Sequence, residues 1–183
     1  LAELTAGKQF IVADPKSTIS FALDEKAGVI EQVAPGVRKQ KTTRGVAYEF
    51  NSSQPITFSQ DQVVFIGRCG RLETNSGEST VRMIMLEGQK IGYGRLLADI
   101  ASGPYDLTFH KDKVVGISEG PGRFIHITMP EGIVQLPALT INGISYAPGT
   151  FGQMAIVPVL DNRCEFTLEN LPQPPVFRSW QLW

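Results

Sequence analysis

From Tyr105 to Trp183 the chain is written in short β-type runs, and Gly, Pro, Asn or Asp cuts off each one. No stretch in this half sustains the i, i+3, i+4 spacing of a full-length amphipathic helix, which argues against helical and alternating α/β architectures. The two-residue alternation is legible inside single runs. Tyr105, Leu107 and Phe109 share one face of 105–110, and Ile125, Ile127 and Met129 share one face of 123–129. Asn142-Gly143, between the two β-branched arms of LTINGISY, predicts a tight hairpin, because both turn positions tolerate positive φ. MAIVPVL at 154–160, an Asp161-Asn162 turn and RCEFTLEN at 163–170 predict a second hairpin. Leu171-Pro172-Gln173-Pro174-Pro175 reads as an extended connector into a last strand carrying Trp180 and Trp183.

The first half obeys the same grammar less regularly. QFIVA at 9–13, TISFALD at 18–24 and GVIEQVA at 28–34 predict opening strands, whereas PGVRKQKTTR at 35–44 has no apolar periodicity and predicts an exposed loop. GVAYEF at 45–50, PITFSQ at 55–60, QVVFIGRC at 62–69 and STVRMIML at 79–86 follow, with Glu87-Gly88 as a hairpin-type turn before KIGYG at 90–94. Both faces of STVRMIML are largely apolar, which suits a central strand covered on each side. GRLLADIA at 94–101 predicts a short helix or an irregular crossover. The sum is an all-β fold, a β-sandwich or jelly roll of roughly a dozen short antiparallel strands. One domain over 1–183 is expected, with 1–60 either inside it or forming an N-terminal extension or second sub-sheet.

Composition narrows the function classes. With 17 basic and 18 acidic side chains the net charge is −1, so no global field collects nucleic acid. No apolar run approaches the roughly 18 residues of a spanning helix, which removes a membrane partner of that kind from the expectation. The start at Leu1, without the regions of a signal peptide, reads as a mature product or a piece of a longer chain. Cys69 and Cys164 are the two cysteines; they either bridge the sandwich as a disulfide or serve as small buried hydrophobes.

Catalytic patterns are weak. Gly116-Ile117-Ser118-Glu119-Gly120 matches G-x-S-x-G, but it runs into another strand instead of a helix, and no histidine follows His126. His110 and His126 lack the spacing of a metal site, and turn carboxylates could hold a structural calcium without any EF-hand-like pattern to mark it. No other cofactor is expected. Asp99, Asp106, Asp112, Glu119 and Glu131 supply carboxylates but no nominated pair. Arg38, Lys39, Lys41 and Arg44 read as a solvated basic loop before they read as an anion site. Sugar rings stack on flat side chains and bond planar polar ones. On that ground Tyr93 with Arg95, Tyr146, and Trp180 with Arg178 are the candidate ligand-binding residues, against the alternative that they fill the core.

GRFIHITMPEGI, LTINGISY and IVPVLDNRCEFTLENLP together resemble the β-sandwich accessory modules of polysaccharide-degrading enzymes. The resemblance covers about the last third of the chain and implies a glycan-binding or spacer role beside a neighbouring catalytic domain. The leading expectation is therefore a non-catalytic module of a secreted or cell-surface protein, with a polysaccharide or oligosaccharide as partner. A structural or adhesive attachment domain is the second reading, and a polysaccharide lyase or hydrolase built on the sandwich is the third.

Overall fold

A computed structural model of the chain describes residues 11–13, 20–22, 29–41, 43–99, 104–128, 138–151 and 154–169, and every regular element among them is a strand. β1 (Ile11–Ala13) and β2 (Ser20–Ala22) pair with each other. All remaining strands join one antiparallel network of 14 strands. The network folds over into two layers that enclose one core, a β-sandwich of jelly-roll-like layering.

The expected basic loop is instead a strand. β3 (Ile30–Ala34) and β4 (Val37–Lys41) form a hairpin about Pro35-Gly36, where Gly36 has φ +73°. Pro followed by a positive-φ Gly is the chemistry of a type II turn, which the sequence carried but the missing apolar alternation obscured. β4 holds because its polar side chains find partners across the ladder. Val37 is buried, Arg38 bonds Glu49, and Lys39 bonds Asp61.

Three long strands, β5 (Val46–Gln60), β6 (Val63–Asn75) and β7 (Thr80–Tyr93), run through both layers. Each joins runs that the sequence reading separated. Pro55 sits between Asn51 and Ile56, where the β5–β6 register shifts, so its missing N–H disturbs no ladder bond there. Glu87-Gly88 is likewise a bulge inside β7 and not a hairpin turn. At this bend Gly67 lies opposite Gly88, and a Cβ on Gly67 would stand 2.6 Å from the Gly88 Cα. Backbones can approach that closely only where both residues lack a side chain. Beside the bend, Phe65 stacks on Phe50 with ring centroids 3.9 Å apart. Its ring also covers Gly70, whose Cβ position is 2.8 Å from Phe65 Cε2.

Past the bend, β7 changes partners. Val81 to Met85 pair with β9 (Tyr105–Phe109), and Lys90 to Tyr93 pair with β8 (Leu96–Asp99). β8 replaces the short helix or crossover expected at 94–101. The first layer continues from β9 through β10 (Lys113–Glu119), β16 (Arg163–Glu169) and β12 (Ala138–Ile141) to the edge strand β13 (Ile144–Tyr146). The second continues from β8 through β11 (Arg123–Thr128) and β15 (Met154–Val159) to β14 (Gly149–Phe151). The Asn142-Gly143 hairpin forms as expected, with φ of +49° and +80°.

The Asp161-Asn162 turn does not make a hairpin. β15 pairs with β11 and β14, while β16 pairs with β10 and β12, so this turn carries the chain from one layer to the other. Gly120-Pro121-Gly122 makes a second crossing alongside it. The two arches are tied by Gly120 N–H to Asn162 O and Gly122 N–H to Val159 O, each 3.1 Å. Val37, Tyr48, Phe50 and Phe58 share the core with Leu107, Ile125, Val157 and Phe166, so β4 and β5 contribute to the same packed interior. The Pro-rich connector and final strand expected at 171–183 lie outside the described residues.

Candidate functional site

Strand periodicity splits layer one into a core face and an outer face. Leu72, Met83 and Leu107 point inward on β6, β7 and β9, which turns Arg71, Glu73, Arg82, Asp106 and Thr108 outward. Register brings these together: Glu73 lies opposite Arg82, Asn75 opposite Thr80, and Arg82 opposite Thr108. They line a hollow of about 350 Å³, open to solvent on one side, with Glu78 from the β6–β7 turn as its rim.

Local bonds fix that rim. Asn75 Oδ1 accepts from Gly77 N–H at 3.1 Å and Glu78 N–H at 3.3 Å, a side chain closing its own turn. Ser76 donates from N–H and Oγ to Arg44 O, both at 2.8 Å, and Ser79 takes φ +53°. Gly45 lets the 44–46 segment lie against β6, since a Cβ there would be 1.9 Å from Thr74 O.

The electrostatics are paired but unequal. Arg82 grips Asp106 with both arms of its fork, Nε to Oδ1 at 2.9 Å and Nη2 to Oδ2 at 2.6 Å. That contact raises the Arg82 pKa above its ordinary value, so the guanidinium is always charged. Arg71 bonds Glu73 from below. Among the described residues Glu78 has no ion-pair partner, and neither Asn75 Nδ2 nor the Thr80 and Thr108 hydroxyls bond to protein. Those groups face the hollow or its solvent. Among the described residues no aromatic lines it.

The residues nominated from sequence are dispersed. Tyr93 lies opposite buried Val63 and packs against the core, while Arg95 is exposed in the Gly94-Arg95 turn. Tyr146 is 36% exposed on the edge strand β13. None of the three lines the hollow. Arg178 and Trp180 lie outside the described residues. The disulfide alternative is not the arrangement adopted: both cysteines are free and buried, Cys164 in the main core and Cys69 in a small outer-face cluster with Ile84 and Leu86. They lie on opposite faces of the sheet, which rules out a bridge without rebuilding it.

The G-x-S-x-G match resolves into packing. Ser118 is fully buried with no hydrogen-bond partner for its Oγ, so it is no exposed nucleophile. Gly116 is small because Phe166 fills the space: a Cβ there would be 2.5 Å from the ring. Among the described residues no cluster of His, Cys, Asp and Glu could hold a metal. Arg38 and Lys39 of β4 are committed to acids, with Arg38 Nε and Nη2 both on Glu49 Oε2 at 3.1 and 3.0 Å. Lys39 Nζ and Tyr48 Oη share Asp61 Oδ2.

The hollow itself was missed by sequence reasoning. Its residues come from 73–82 and 106–108, and only the β6–β7–β9 register places them side by side; the local signal was the Asn75-Ser76-Gly77 turn. No family model matches the chain, and neither a curated protein nor a solved structure matches it. The likeness to accessory modules thus extends to the sandwich architecture alone.

Proposed function

We propose that this chain is a non-catalytic β-sandwich module that binds a glycan in the outer-face hollow, within a secreted or cell-surface protein. The observation that carries the proposal is the lining. Free donors and acceptors at Asn75, Thr80, Thr108 and Glu78 surround an arginine–carboxylate fork, in a space of about 350 Å³. Ligand sites commonly occupy about 300 to 1,000 Å³, so the hollow suits a few sugar residues of a longer chain. With polar groups and no aromatic among the described lining residues, the hollow holds a sugar through its hydroxyls. Glu73 and Asp106 are each engaged by an arginine, Glu73 by Arg71 and Asp106 by Arg82, so the fork is a fixed polar wall of the hollow.

A broad glycan array probed with the whole chain tests this. Binding to at least one oligosaccharide is expected, weakened about tenfold when Thr80→Val and Thr108→Val remove both hydroxyls while keeping β-branched side chains. Absence of binding to every glycan, or binding untouched by the double variant, would overturn it. The attachment-domain reading has one observation in its favour, the exposure of Ile144 at 60% beside Tyr146 on the edge strand β13. A stable homotrimer in solution would support that reading instead.

A further inference from the structure

The charge around the hollow selects among glycans, an inference that rests on the hollow being a glycan site. The hollow is lined by carboxylates at Glu73, Glu78 and Asp106 and by one guanidinium, Arg82, with Arg71 reaching Glu73 from outside the lining. Arg71 holds Glu73 and Arg82 holds Asp106, leaving Glu78 in surplus. Its position is not accidental to a floppy loop, since its own N–H is bonded to Asn75 Oδ1 and the turn is tied to Arg44 O. The turn therefore fixes the Glu78 backbone at the rim, and its exposed carboxylate stands beside hydroxyl and amide groups that the fold leaves unused.

We propose that the hollow prefers a glycan carrying a free amino group, whose ammonium is placed at the Glu78 carboxylate while Thr80, Thr108 and Asn75 bond neighbouring hydroxyls. A hydroxyl or acetamide N–H can donate to that carboxylate too, but only an ammonium adds the attraction of an opposite charge. A uronic acid or sulfated sugar meets the same carboxylate as a like charge and is disfavoured. The pair is solvent-exposed, so the preference is modest and screened by salt.

Calorimetric titration of the whole chain with three oligosaccharides of equal length measures this: a fully deacetylated glucosamine hexamer, its N-acetylated counterpart, and cellohexaose. The three differ at the C2 substituent. At mildly acidic pH, where the amine is protonated, the glucosamine hexamer is expected to bind roughly fivefold more tightly than the other two. High salt and Glu78→Gln should each bring the glucosamine hexamer down to the affinity that cellohexaose shows under the same condition or in the same variant. Equal affinities in the wild type, or a margin that survives Glu78→Gln, would overturn the amine preference while leaving the glycan reading intact. Failure of all three to bind, together with a blank array, would overturn both.

Discussion

Cys69 shows how much the outer face of this sheet differs from a solvated one. The residue is 8% exposed in a cluster with Ile84 and Leu86, and Ile117 packs against it from β10. Burial, and then the carboxylates of Glu49 and Glu87, push its thiol up to about 12 from an ordinary 9.0. The sign of the linkage follows directly. Between those values the unfolded chain has lost the proton that the folded chain retains, so this contribution to stability is full below the lower value and is lost as pH rises toward the upper. Urea midpoints compared at mildly and strongly alkaline pH should fall more steeply in the native chain than in Cys69→Ala; equal slopes would contradict the burial. The cysteines also mark a limit of sequence reading. Two β-type segments with one cysteine each do not reveal which face either occupies, and a one-residue change of register would exchange the answer.

At the scale of elements, β4 shows that a strand can be held by its ion pairs and its edge packing without an apolar stripe. Glu49 is 3% exposed and faces Arg38 on one side and Arg71 on the other. Burial raises its pKa, and Arg38 and then Arg71 oppose that shift. Arg38→Ala should cost about 3 kcal/mol in urea unfolding, because a buried carboxylate then loses both donors on its Oε2. Adding Glu49→Gln should recover part of that loss by removing the stranded charge; no recovery would mean that Arg38 acts through packing alone. Hairpins with both turn residues suited to positive φ, such as Asn142-Gly143, were legible in the sequence. The long strands were not, because Pro55 and Gly88 are the residues that a turn would use, and here they serve register shifts. Asp161-Asn162 misled for a related reason: a turn dipeptide specifies a reversal, not whether the strands it joins pair or part into separate layers.

For the whole molecule, the all-β sandwich was the most legible level, since alternation and punctuation recur along the chain and average out local errors. The polar hollow was the least legible. Glu73, Arg82 and Asp106 are meaningless as a set until three strands are laid in register, whereas Tyr93, an attractive aromatic in the sequence, is drawn into the core by the strand it ends. The shared interior also argues that both layers report on each other, because the long strands β5, β6 and β7 belong to both. A ligand held on the outer face of layer one should nevertheless leave a local footprint. Amide chemical-shift mapping of the labelled chain during titration with the glucosamine hexamer tests the account most directly. Perturbations are expected to concentrate at Glu73 to Arg82 and Asp106 to Thr108; perturbations centred instead on Ile144 and Tyr146, with the hollow silent, would contradict it.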